Sequence, residues 1–214
     1  MTVRTETQHA GGFLVHDGLN GHMNRKQAVL NSGQSAVKTG TVLGQILSAA
    51  AAVAGTNTGN GVVTVGAAIG PATVIGIYKL LVVAAASNAG TVNLHAPDGT
   101  LIRQITVGGG ATPSDHLTIT VADGATDFVV GDSFTIAVTG GDYEALDLAA
   151  TTGEQIAAAI LWEARDAASA DKACTVVFGP CVVEDSELTW PAGISDANKA
   201  IAVSQLARAG MQFR

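Results

Sequence analysis

Apolar and polar residues alternate in short runs through the middle of the chain, and glycine-rich or Asx-rich breaks separate the runs. Val62, Thr64 and Gly66 begin the series, and further extended runs lie at 75–84, 90–95, 101–107, 117–121 and 132–138. Between them stand Ser87-Asn88-Ala89-Gly90, Pro97-Asp98-Gly99, Gly108-Gly109-Gly110 and Asp123-Gly124. About six short strands at this spacing predict a β-sandwich or small barrel. Upstream, Ala28-Val29-Leu30 predicts a strand, Asn31-Ser32-Gly33 a turn, and 41–46 a second strand introduced by Gly40. The alanine run 49–54 reads as a linker. Downstream of Gly140-Gly141, Tyr143 to Leu146 predicts another strand. Thr152 with Gln155 has the form of a capping box, and Ile156, Ile160 and Ala164 fall at helical spacing, so periodicity alone favours a helix over 156–167.

The C-terminal stretch has the clearest punctuation. Val182 and Val183 close an extended run, and Leu188 and Trp190 alternate on one face of a second. Pro191 has no N–H to continue pairing, so the chain turns there. Ser195 is placed as an N-cap, with Asp196 in the first turn and Arg208 in the last. Gly210 is placed to end the helix in a left-handed conformation. Met211 to Phe213 then reads as a final strand or strap.

Composition narrows the function. The chain has 214 residues, 47% hydrophobic but only 4% aromatic, which suits flat packing surfaces more than a deep ligand pocket. Its net charge of −7 argues against direct nucleic-acid binding, which draws on Lys and Arg to displace phosphate counterions. The start, MTVRTETQHAGGF, lacks the apolar core of a signal peptide, and the run 74–86 is too short and interrupted for a membrane span. The expectation is a soluble protein made in the cytoplasm. Cys174 and Cys181 flank a Phe178-Gly179-Pro180 turn, which leaves a cross-hairpin bridge or two buried thiols; a reducing cytosol favours the thiols.

Candidate chemistry is sparse. There is no G-x-S-x-G, P-loop lysine or His-Glu-x-x-His. His9, His16 and His22 are irregularly spaced for a metal site, and Asp123, Asp127 and Asp132 match hairpin-turn carboxylates better than a calcium loop. Glu184, Asp185 and Glu187 crowd before Trp190, which leaves a small hydrolase using Glu187 as one rival reading. The expectation is no enzyme, with no catalytic residue, cofactor or metal. Residues 1–24 form a polar arm whose apolar insert is Phe13-Leu14-Val15. Such an arm can lie along the edge of another protein's sheet and anchor through those side chains.

Glu184-Asp185, Leu188, Trp190-Pro191, Ser195-Asp196 and Gln212-Phe213 occur in the order found in the phage head decoration protein D family, the cement proteins of lambda-type capsids, and the chain resembles that family. Arg25, Val29, Gly33 and the run 40–44 resemble the N-terminal half of its long members, and 118–136 resembles a β-domain inserted in some of them. The resemblance implies a strand near 158–164, where periodicity favours helix, and a second at 173–178, and we adopt the strands. The expected fold is mainly β with one or two short helices (α+β): a flexible arm (1–24), a β-rich base (25–57 plus 140–214) and an inserted sandwich- or barrel-like β-domain (58–139). It also implies a homotrimer at three-fold positions on the outer surface of the expanded head, bound to the major capsid protein and stabilising the shell. Nucleic acid and membrane are not expected partners. Phe13, Leu14 and Val15 are the expected capsid contacts, and Trp190 and Pro191 the expected base and trimer packing residues. The alternative reading is a tail or virion-surface module whose β-domain binds host glycan.

Overall fold

The computed structural model describes residues 9–18 and 24–214. His22 and the arm residues 1–8 and 19–23 lie outside the described residues. In chain order the strands are β1 (Leu14–Asp17), β2 (Arg25–Leu30), β3 (Gln34–Val37), β4 (Val42–Ala49), β5 (Val53–Ala54), β6 (Val62–Ile69), β7 (Gly76–Ala86) and β8 (Ala89–His95). There follow β9 (Leu101–Thr106), β10 (Leu117–Ala122), β11 (Ser133–Ala145), β12 (Ala157–Leu161), β13 (Arg165–Ala167), β14 (Lys172–Val177) and β15 (Cys181–Val183), then helix α1 (Asp196–Ala207) and β16 (Met211–Phe213). The fold is thus β-rich α+β, with a single α-helix among the described residues. That helix is not long and apolar enough to cross a membrane.

The chain divides into two compact units, one of residues 1–46, 142–150 and 154–214, the other of 47–141 and 151–153. In the first unit β2, β14, β12 and β4 are neighbours in that order, all antiparallel. The end of β11 completes the ring: Tyr143 bridges to Leu30 of β2, and the Leu146 N–H donates to Val42 O of β4 at 3.0 Å. The result is a small five-stranded barrel.

Alternation along its strands sorts the side chains into two cores. Leu30, Leu43, Tyr143, Ala159, Leu161, Cys174 and Val176 fill the barrel. Val42, Ile160 and Val177 point the other way, beneath α1 and a three-stranded sheet of order β1-β15-β16. Helix α1 contributes Ala202 and Leu206 to this outer core, and its Gln205 Oε1 accepts from the Ala157 N–H at 2.8 Å. Ser195 caps α1 by accepting from the Asn198 N–H, and Gly210 follows it at φ +89, as the sequence predicts.

In the second unit β5, β11, β7, β8 and β9 form one sheet, and β6 pairs antiparallel with β10. The alternation read from the sequence sets the inner face: Tyr78, Leu80 and Val82 on β7, Val92 and Leu94 on β8, Phe134, Ile136 and Val138 on β11, with Leu117, Ile119 and Val121 on β10. All are buried.

Three stretches differ from what local pattern alone suggests. The 156–167 periodicity does not make a helix; β12 and β13 stand there, in keeping with the strands adopted from the resemblance. Both faces of β12 are buried, so its apolar residues do not alternate with polar ones and mimic a helical pattern. Gly140-Gly141 does not break the chain, because β11 runs through it. Residues Asp185–Glu187 form a 3-10 turn between the two extended pieces.

Candidate functional site

Phe13, Leu14 and Val15 all belong to the first unit, but they occupy different environments. Phe13 is fully buried in the outer core and meets Trp162 edge-on at 6.3 Å between ring centroids. Leu14 is half-buried against the same core, and Val15 is 39% exposed. Phe13 precedes β1 and enters the core from the turn before it, whereas Val15 lies within β1, an edge strand whose pairing shifts register between Leu14 and His16 and does not alternate in burial.

Several contacts fasten this segment. The Gly11 N–H donates to Trp162 O at 2.9 Å, and the Glu184 N–H donates to Phe13 O at 2.9 Å. β1 then pairs antiparallel with β15, placing Leu14 opposite Val183 and Asp17 opposite Cys181. Asp17 closes the strand, accepting from Asn24 Nδ2 and forming an ion pair with Arg25 at 2.7 Å. The Arg25 guanidinium in turn lies 3.8 Å from the Trp162 ring centroid. Residues 9–18 are therefore a strap built into the base, and Phe13 offers no surface to a partner while the strap is in place.

Trp190 and Pro191 are both half-buried, and Trp190 packs on the outer core beside Lys199, whose Nζ is 5.2 Å from its ring centroid. The turn is anchored through Thr189, whose N–H donates to Gly40 O at 2.9 Å and whose carbonyl accepts from the Val42 N–H at 3.1 Å. Gly40 has φ +76, and a Cβ there would stand 2.7 Å from Glu187 O, so glycine alone fits the approach.

Glu184 and Asp185, two of the three carboxylates ahead of Trp190, are tied into the fold. Asp185 pairs with Lys199, and Glu184 pairs with Arg214 at 3.2 Å, holding α1 and the C-terminal strand. The aspartates of the second unit fasten loops. Asp132, 3% exposed, accepts from the backbone N–H groups of Thr58, Gly59 and Val129, and Asp127 accepts from Asn88 N–H at 2.9 Å. Burial alone would raise the Asp132 carboxyl, but its three amide donors outweigh burial and hold it below the usual carboxylate range. Among the described residues no group of three His, Cys, Asp or Glu side chains is placed to hold a metal ion.

Cys174 and Cys181 are both free thiols. They lie in different cores, Cys174 inside the barrel and Cys181 outside it. Burial pushes both upward, Cys181 to about 11 with a further rise from Asp17. The sequence did not reveal the strap, because Trp162 and Arg25, which receive it, carry no local mark of that role.

Comparison with solved structures returns two crystal structures of Xanthomonas campestris FlgL, in space groups H3 and C2, each 23% identical with TM-scores of 0.33 and 0.32. They cover 51% of this chain, which spans only 34% and 32% of theirs, and a likeness this slight fixes neither fold nor function. No curated protein matches. The family model of the bacteriophage lambda head decoration protein D matches residues 3–211, nearly the whole length. The ordered residues around Trp190 and the match along both units agree, and this chain belongs to the bacteriophage lambda head decoration protein D family, structural proteins of the phage capsid.

Proposed function

We propose that this protein binds the outer surface of the expanded icosahedral head as a homotrimer at three-fold positions and cements it there without catalysis. The observation that carries this reading is the family match over residues 3–211. The strapped base supports it. Three copies held together present three N-terminal segments from one rigid body, and contacts that are weak singly become strong when engaged at once. A ligand that binds only the closed shell stabilises that shell by mass action.

Within this reading the capsid contact divides along β1. Val15, exposed on the edge strand, and the residues ahead of the strap contact the shell, while Phe13 fixes the strap to the base. The test is co-sedimentation with expanded and unexpanded heads. The wild type should pellet with expanded heads alone. Val15→Asp and a chain lacking residues 1–8 should stay in the supernatant with unchanged melting temperatures. Full binding by both variants removes the N-terminal segment from the mechanism, and indifference of the wild type to any head removes the cement role.

A further inference from the structure

In the second unit one buried phenol joins three pieces of backbone. Tyr78 of β7 is fully buried, and its hydroxyl accepts from the Val74 N–H at 3.0 Å. The same hydroxyl lies 2.9 Å from His116 Nδ1, and the two rings meet edge-on with centroids 5.8 Å apart. His116 is further fixed through its carbonyl, which accepts from Thr73 Oγ1 at 2.6 Å and from the Gly70 N–H at 2.6 Å. With the Val74 N–H donating to it, the hydroxyl finds an acceptor for its own proton in this contact only when Nδ1 is unprotonated, so that Tyr78 donates to it.

We propose that the Tyr78–His116 contact is an acid-sensitive clasp that holds the 70–75 and 113–116 segments against β7 and loosens when His116 takes up a proton. This inference concerns the second unit and goes beyond the capsid-binding reading. A proton on Nδ1 converts that nitrogen from acceptor to donor. Tyr78 then loses the acceptor for its O–H in a place that water does not reach, and a buried donor without a partner is costly. The segments the clasp holds line an open cleft of about 680 Å³, bounded by Ala72, residues 100–103 at the start of β9 and the 113–116 loop. Loosening would reshape that cleft.

The groups facing the ring are the Tyr78 hydroxyl, Asp115 beside it in the chain, Asp98 in the β8–β9 turn, and Arg103 across the cleft, whose guanidinium is held by Pro113 O. His95, in the same region, is engaged with Gly99 O at 3.1 Å. Burial lowers the His116 pKa below the ordinary histidine value, and Asp115 and Asp98 oppose the shift without reversing it. The sign follows: the clasp is at full strength above about pH 6.5, where a free histidine is neutral, and weakens as pH falls toward the lowered value of the clasped ring. A single such group changes the closed-to-open ratio by at most about tenfold for each pH unit.

The test is amide exchange at Val74 in the full chain, corrected for intrinsic rates. Between about pH 7.5 and pH 5.5 protection should fall, by no more than about tenfold for each pH unit. His116→Asn keeps an acceptor beside Tyr78 but cannot titrate, so its Val74 protection should not fall. A wild type whose Val74 protection is constant, or a variant that loses as much as the wild type, overturns the clasp. Should the variant not fold, the wild-type His116 ring decides through its NMR titration. A midpoint below that of a free histidine, with the Val74 change levelling off as pH reaches it, supports the clasp, and a midpoint at or above it overturns the clasp.

Discussion

Phe13 shows how a residue's role depends on what the chain brings to it. Read alone, an aromatic in a polar, glycine-containing stretch is an anchor looking for a partner. In the fold the partner is internal, Trp162, and the ring is fully buried. Phe13→Ala should therefore cost about 3–5 kcal/mol of stability, measured by urea unfolding, whereas Val15→Asp on the exposed face should stay within about 0.5 kcal/mol. Asp132 is the second case. Losing a carboxylate that accepts from three buried amides should cost about 1–3 kcal/mol in Asp132→Asn at neutral pH, because the new amide group presents hydrogens to N–H donors. Since the folded carboxyl is held low, its contribution is complete above about pH 3.9, the unfolded value, and lost as pH falls through the folded one. The wild type and variant should converge there. Sequence could mark Asp132 as a turn carboxylate, but not that its donors come from Thr58 and Gly59 on a distant loop.

Legibility varies from element to element. Helix α1 was readable because its instructions are local: Ser195 at the cap, Asp196 after it, Gly210 at the end. The strands of the second unit were readable because one face is wet, so Tyr78, Leu80 and Val82 alternate with more exposed residues. β12 was not readable by period, because both faces are covered, and β3 and β13 are short and pair only with each other. The helix is held less by its own pattern than by its contacts: Ala202 and Leu206 in the outer core, Gln205 on Ala157 and Lys199 on Asp185. Leu206→Ala should destabilise the protein by about 2–5 kcal/mol, with the early loss of helical signal in thermal melts marking α1 as the first element to leave. If the helix melts together with the barrel, α1 is part of one cooperative base.

For the whole molecule, two compact units place different demands on the sequence. The base must close a barrel with strands that are far apart in the chain, β2 with β14 and β4 with β12, while the second unit pairs β7, β8 and β9 by successive short turns. Motif order, not periodicity, carried the expectation of a base, and periodicity that of an inserted β-rich block. The trimer is tested by mass in solution: sedimentation equilibrium should return three times the 21.4 kDa chain mass, before or upon head binding. A monomer that stays a monomer on heads would confine each copy to a single anchoring point.

The two thiols give the base an internal timer. One sits inside the barrel and the other in the layer wrapped around it, and both are shielded and poorly ionised. An alkylating reagent therefore reads a sequence of events: Cys181 modified ahead of Cys174 means that the wrapping peels before the barrel opens, and simultaneous modification means the two layers fail together. Applied to decorated heads as they are warmed, the same labelling order would tell whether this protein leaves the head folded or melts on it.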